Sequence, residues 1–477
     1  MRSTRGRRTS DDPARSLLHD VCARTSPRRA PPPVFLAGNI PGVRGRSPRR
    51  IAPQARNHQG VPPMTAMDRI DAPVIAEVED LKVHFQSKRG RVHAVDGVGF
   101  QIRDGEMLGL VGETGCGKSV TGRAFLDLIP QPPAILAGGR VLFRPRGGAA
   151  CPACRGEGCA DCGGTGHETV DLLKLPAQKM REIRGARIAM IFQDPGKALN
   201  PTLTIGAQLS EVFLQHKSEE LLEVAGVAPG DRSWAAKALR RMAHEEDTWL
   251  DRRLRRLPPL REGAARLEKA LADRVAAALA ETQIPNPARV MRAYPHELSG
   301  GMKQRVMIAQ ALACDPDLIV ADEPTTALDV TIQARILELI KTLQARRRTS
   351  VLYISHDLSL VRKVCDRVAV MYAGRVAELG TVAQVFSDPR HPYTQGLLAA
   401  VPRAGARRGH LASIPGSVPE LVDPAPGCRF ADRCAMVMPQ CTGTDPRLLP
   451  VGRGHAAACF LEHPREGRAP AMETAET

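Results

Sequence analysis

The sequence predicts an α/β fold built on a mostly parallel sheet with an antiparallel β subdomain, and three observations predict it. Short apolar runs alternate with helix-length segments. Met107–Val111, Leu318–Ala321 and Val351–Ile354 read as buried strands. The stretches 119–129, from near Gly300 onward, and 330–347 read as helices between them. Residues 74–102 instead alternate polar and apolar side chains, in Val74–Val78, Leu81–Phe85 and Val98–Ile102, as half-buried antiparallel strands do. Finally, Gly112-Glu113-Thr114-Gly115-Cys116-Gly117-Lys118-Ser119 lies between the first apolar strand and its helix and fits G-x-x-x-x-G-K-[ST] at every position.

Length and charge narrow the function classes. The chain has 477 residues, enough for two or three domains, and 43% apolar side chains, enough to bury a large core. Its net charge of +16 invites a nucleic-acid reading, but aromatics are only 3%, which argues against a reader that stacks bases. The charge is also uneven. Residues 1–63 carry 13 Arg, no Lys and 3 Asp, a net of +10, together with 10 of the 39 Pro. Such a segment buries too little apolar surface to offset its ordering entropy. Three readings of this leader (1–70) are open: an anion-binding arm, an Arg-rich transit peptide, or a start assigned too early, with Met64 or Met67 the true one. The last is favoured, because patterned sequence begins just after those methionines. The chain shows no secretory signal and no apolar run near 18 residues.

The glycine loop is suited to phosphate. Gly112, Gly115 and Gly117 let backbone N–H groups approach an anion, and the following helix adds its positive end. Lys118 is placed to reach the β- and γ-phosphates, Ser119 to ligate Mg²⁺, with Val120 continuing the site. A glycine-rich turn of purely structural use is the bland alternative. A second element weighs against it: the apolar run Leu318–Ala321 ends in Asp322-Glu323, and two adjacent carboxylates after a buried strand are costly unless used. Asp322 suits the Mg²⁺ shell and Glu323 the attacking water.

Between these elements lies Leu298-Ser299-Gly300-Gly301-Met302, and on this motif the sequence resembles the ATP-binding subunits of ABC transporters, with Met in place of the usual Gln. The resemblance implies an ATP hydrolase with further site residues. Ser299, Gly300 and Gly301 would meet the γ-phosphate of an ATP held by an opposing subunit. Gln193 would touch Mg²⁺ and water, Asp329 would line the dimer interface, and His356 would contact the γ-phosphate. Phe85 is the candidate adenine-stacking aromatic, although Val92 lies nearer the usual spacing. Arg390–Leu398, Leu411–Pro419 and the Cys-rich end resemble the oligopeptide, dipeptide and nickel importer branch. That branch implies two transmembrane permeases, a second ATPase subunit, an extracytoplasmic solute-binding protein, no nucleic acid, and a place on the cytoplasmic face of the plasma (inner) membrane. Peptide is the expected solute class, nickel the runner-up. A DNA-repair ABC ATPase is the rival function, but it would normally carry two nucleotide domains, and a single glycine loop stands here. A non-catalytic regulator conflicts with the intact Lys118, Asp322, Glu323 and His356 set.

The expected organisation is an ATPase domain over 74–384, a Cys-rich insertion at 144–169, a helical subdomain at 206–296, a separate Cys-rich C-terminal domain at 385–465 and a disordered tail at 466–477. Of the 12 Cys, eight fall into two groups of four, a ligand-like pattern rather than a secreted disulfide framework. Cys151, Cys154, Cys159 and Cys162 form two tandem C-x-x-C-x-G-x-G units, similar to the zinc repeats of heat-shock co-chaperones. Four thiolates favour tetrahedral Zn²⁺ over a redox pair or unligated thiols. The unit interrupts an expected hairpin between Val141–Phe143 and Val170–Leu173. Cys428, Cys434, Cys441 and Cys459 are spaced less diagnostically. The importer-branch resemblance implies a [4Fe–4S] cluster there, with zinc the second reading and free thiols the third. Residues 216–284, including the Arg252–Arg256 run, are longer than the family stretch and read as a solvated helical hairpin.

Overall fold

A computed structural model describes residues 72–244, 257–326, 328–401 and 414–464. The leader before residue 72, the Arg252–Arg256 run, the start of the Leu411–Pro419 segment and the tail beyond 464 lie outside the described residues.

Two sheets organise the chain. β1 (Val74–Ser87) and β2 (Gly90–Arg103) form a long antiparallel hairpin, extended by β4 (Ala134–Phe143) and β5 (Val170–Asp171) into a four-stranded sheet ordered β2-β1-β4-β5. The main sheet contains β3 (Met107–Val111), β6 (Ile188–Ile191), β7 (Leu318–Asp322), β8 (Ser350–Ser355), β9 (Arg367–Tyr372), β10 (Arg375–Thr381), β11 (Leu449–Gly452) and β12 (His455–Ala457). Its order is β11-β12-β10-β9-β3-β8-β7-β6. The strands from β9 to β6 are parallel, whereas β10, β12 and β11 add on antiparallel.

The period-2 rule explains the burial of the central strands on both faces. Leu108 and Leu110, with Val320, Leu352 and Ile354, face the four-stranded sheet and share its core with Val78, Leu81, Val98 and Phe125. Met107 and Val111, with Ile319, Ala321, Val351 and Tyr353, face the opposite way, into a core built with helices. Continuous apolar runs are what a sheet covered on both sides requires.

Helix boundaries follow local chemistry. The helix after the glycine loop spans Lys118–Ala124, shorter than expected. Among the described residues, the stretch read as helical over 206–284 contains the helices Ile205–Val224, Trp234–Ala243 and Pro258–Glu281, the first kinked at Lys217. Thr204 and Ser233 cap the first two by accepting from Ala207 N–H and Ala236 N–H. Leu221, Leu222, Ala236, Leu239, Leu260 and Leu267 are buried in one core. Where a solvated hairpin was expected, the described helices pack on one another through a buried face.

The C-terminal segment is not set apart as expected. β12 pairs with β10, so residues 449–457 complete the main sheet. Tyr393, on the helix Pro392–Ala399, is fully buried among Tyr372 and Phe430. Glu378 of β10 is also fully buried. It accepts from the backbone N–H groups of Arg390 and His391 and bonds the His455 ring at 2.8 Å. Burial would raise its pKa, but these hydrogen bonds hold it below the usual value.

His391 gives this junction a pH dependence. Burial pushes its pKa down to about 4, against the opposing pull of Glu378, and its Nδ1 accepts from Tyr393 N–H. The unfolded chain takes up this proton near pH 6.5 and the folded one only near 4. Stability is thus fully present above 6.5 and falls as pH drops between those values, by up to about 3 kcal/mol from this residue. Melting temperature is expected to fall between pH 7 and 4.5, and less steeply in His391→Gln.

Candidate functional site

The glycine loop leaves the carboxyl end of β3 and enters the helix Lys118–Ala124. Gly117 has φ 97°, and a Cβ there would stand 2.4 Å from the Ala94 carbonyl, so no larger residue fits. Lys118 is buried, and its Nζ donates to the carbonyls of Gly112 (2.8 Å) and Glu113 (2.9 Å), closing the loop over its own ammonium. The backbone amides and this charge make a concave anion cradle.

β7 runs two strands away from β3, separated from it by β8, and ends at the same level. Asp322, its last residue, is 3% exposed and accepts from Ser119 Oγ at 2.8 Å. Burial pushes the Asp322 carboxyl up, the Ser119 bond and the positive charges of Arg123 and Lys118 opposing. Glu323 follows in a left-handed conformation (φ 46°), pinned by its N–H to the Ile354 carbonyl of β8. A non-glycine residue there stores strain that the surrounding structure must hold.

Three side chains from three segments converge on the Glu323 carboxylate. Gln193 Nε2 donates at 3.0 Å, Thr326 Oγ1 donates at 2.9 Å, and His356 Nδ1 lies at 3.1 Å. Gln193 follows β6 and His356 follows β8, so the parallel order delivers both to the carboxyl edge. The structure thus gathers Lys118, Ser119, Asp322, Glu323, Gln193 and His356. Thr326, three residues after Glu323, is the member that sequence reasoning missed.

The other expected residues lie nearby in the fold but off this cluster. Ser299 caps the helix Gly300–Leu312, accepting from Met302 N–H at 3.4 Å. A Cβ on Gly300 would be 3.6 Å from Leu328, and one on Gly301 3.0 Å from Ile332. The Ser299–Gly301 turn therefore packs on the segment around Asp329, the N-terminal flank of the helix Val330–Arg347. Phe85 is half-buried opposite Val92 in the β1–β2 ladder, and it and Val120 pack on the core below β3.

Comparison with known proteins now decides the family. Residues 95–326 match the family described as "ABC transporter", and residues 377–441 match "Oligopeptide/dipeptide transporter, C-terminal region". The chain is 41% identical over 390 residues to a probable peptide ABC transporter ATP-binding protein of Sinorhizobium fredii, covering 82% of this chain and 95% of that one. It is 40% identical to the dipeptide transport ATP-binding protein DppD of Bacillus subtilis, with 82% and 96% covered. Against the oligopeptide transport ATP-binding protein OppD of the same organism it is 39% identical, with 82% and 89% covered. The chain belongs to the ABC transporter ATP-binding family.

This ABC ATPase carries two further side-chain gatherings. The Cys151, Cys154, Cys159 and Cys162 sulfurs all lie within 4.8 Å of one another, with pairs at 3.9, 3.8 and 3.8 Å. The module sits between β4 and β5, whose pairing through Leu142–Asp171 and Phe143–Val170 forms the interrupted hairpin. Amides of Gly158, Cys159 and Gly166 donate to its sulfurs at 3.1 to 3.3 Å. Burial opposes ionisation of Cys162, but the Cys159 and Gly166 amides pull its thiol down, while the neighbouring Cys159 thiol is pushed up. The second gathering, His84, His93 and Asp96, had no sequence signal. Its imidazoles stack at 3.9 Å, and Asp96 already accepts from Arg375 and Arg429, whose charges oppose a cation there. No helix among the described residues is long and apolar enough to cross a membrane.

Replacing Gly117 tests the cradle. Gly117→Ala meets both the Ala94 carbonyl and an unfavourable φ. The expected outcome is a lower melting temperature and lost retention on immobilised ATP, both measurable on the purified chain.

Proposed function

We propose that this chain is the ATP-hydrolysing subunit that powers import of di- and oligopeptides through a partner membrane permease. The observation that carries the reading is the convergence of Gln193, Thr326 and His356 on Glu323, beside the Ser119–Asp322 pair. The relatives' names speak of peptide, dipeptide and oligopeptide transport, which supports the solute class.

The roles follow from chemistry. Lys118 and the Gly112, Gly115 and Gly117 backbone take the β- and γ-phosphates of ATP. Ser119, Asp322 and Gln193 offer hard oxygen donors, as Mg²⁺ requires, and the buried Asp322 carboxyl gains its ionised form beside that charge. Mg²⁺ neutralises developing phosphate charge when bound. Glu323, oriented by the Gln193 and Thr326 donors with His356 Nδ1 beside it, polarises the attacking water, and His356 steadies the γ-phosphate. Ser299, Gly300 and Gly301 present a helix N-terminus to the ATP of a second ATPase subunit, with Asp329 at the shared interface. Two permeases and an extracytoplasmic solute-binding protein complete the machine, which places the chain on the cytoplasmic membrane face.

Glu323→Gln keeps the side-chain shape and removes the base. It is expected to bind a fluorescent ATP analogue as the unaltered chain does, while turnover falls at least about 100-fold. Turnover at the original rate would overturn the assignment.

Cys151, Cys154, Cys159 and Cys162 fit structural Zn²⁺. A tetrahedron with Zn–S near 2.3 Å has sulfur–sulfur edges of about 3.8 Å, the spacing found here. The N–H···S bonds favour the thiolates such an ion needs. The Cys428, Cys434, Cys441 and Cys459 thiols are neighbours, burial pushing Cys428 up to about 12. Four thiols gathered this way can take a [4Fe–4S] cluster, with zinc the alternative. Atomic emission on anaerobically purified protein is expected to give one zinc per chain, lost in Cys162→Ser, together with iron and visible absorbance. A colourless, iron-free sample would reject the cluster.

A further inference from the structure

Glu113 is the first variable residue of the glycine loop, and the C-terminal segment grips it. The Arg433 guanidinium meets its carboxylate with two hydrogen bonds, Nη1 to Oε2 at 2.7 Å and Nη2 to Oε1 at 3.1 Å. Its backbone N–H donates to Tyr393 Oη at 3.0 Å. The third hold on the residue comes from inside the loop, where Lys118 Nζ donates to its carbonyl.

Both gripping side chains are themselves fixed. Arg433 is 7% exposed. Its Nε donates to the Pro415 carbonyl at 2.8 Å, its Nη1 to Tyr372 Oη at 3.2 Å, and its guanidinium lies 5.7 Å from the Tyr372 ring centre. Tyr393 is fully buried against Tyr372 and Phe430. A planar, bidentate arginine held this way is a rigid anchor rather than a mobile surface pair.

The arrangement matters because of two charges. A carboxylate in a loop that binds a triphosphate repels its ligand, and Arg433 cancels that charge. Lys118 now bonds the Gly112 and Glu113 carbonyls, yet it is the ammonium a nucleotide would take for its own phosphates. Once it turns to phosphate, the loop keeps its shape only through outside holds.

We propose that Arg433 and Tyr393 are positioning residues for the nucleotide loop, bracing Glu113 from the C-terminal segment and neutralising its charge so that ATP binds. The inference rests on the nucleotide reading above. Turnover in Glu323→Gln tests that reading, whereas ATP affinity with Glu323 intact tests this one.

The experiment titrates the purified full chain and its variants with a fluorescent ATP analogue and records their melting temperatures. Arg433→Met is expected to weaken binding roughly tenfold, with a loss that shrinks as salt screens the exposed carboxylate. Adding Glu113→Gln removes the uncompensated charge, so the double variant is expected to recover to within about threefold of the original affinity. A merely structural role would give no such recovery. Tyr393→Phe keeps the packing and removes one hydrogen bond. It is expected to raise the ATP KM with kcat little changed, and it serves as the test if Arg433→Met does not fold. Arg433→Met binding within twofold of the original chain, a double variant no better than the single one, or an unchanged KM in Tyr393→Phe would overturn the proposal.

Discussion

The hydrogen bond from Ser119 to Asp322 is the contact on which the site depends. It joins the first turn of the helix Lys118–Ala124 to the end of β7. Between those elements lies β8, parallel to both β3 and β7. Three strands must therefore end level before one 2.8 Å bond forms. Parallel register supplies that alignment. Glu323 then inherits its position. Its N–H is held by β8, and its strained backbone turns the carboxylate toward Gln193, Thr326 and His356.

What the sequence made legible was short and contiguous. The glycine loop and the Asp322-Glu323 end of an apolar run carry their chemistry within a few residues, so local pattern pointed to them, and the family resemblance pointed to the Ser299–Gly301 cap. The central strands were legible for the same reason. What escaped depends on contacts distant in sequence. Nothing in the sequence around Ala431–Arg433 points to Glu113, 320 residues earlier. Thr326 needed the turn after β7 to be known before its hydroxyl had a target. The C-terminal segment looked independent because Pro and Cys enrichment marks a composition boundary. Composition does not show that β12 pairs with β10, or that Glu378 is buried among Arg390, His391 and His455. In the helical stretch, Leu239 and Leu260 reveal their shared core only when the described helices are placed side by side.

The two cysteine groups show how much spacing can carry. In the first, close C-x-x-C pairs and glycines dictate a local shape. The Gly166 φ of 74° and its tight approach to the Gly156 carbonyl leave room for no other residue. In the second, loops of five to seventeen residues separate the thiols, and the surrounding fold sets their distances. The first group sits in a loop between two strands of the smaller sheet. The second sits on the segment that reaches the glycine loop, with Cys434 directly after Arg433.

The order in which β10, β12 and β11 close the main sheet has a consequence for solubility. β11, the outermost strand, is four residues long and contains Pro450, which offers no N–H to a newcomer. β10 is seven residues long, largely buried and rich in apolar side chains. A chain shortened before residue 449 would expose that strand as an open edge, with a row of unpaired amides and carbonyls beside an apolar face. Such an edge is a template for pairing with another copy. The short, proline-bearing end strand therefore protects the molecule against aggregation.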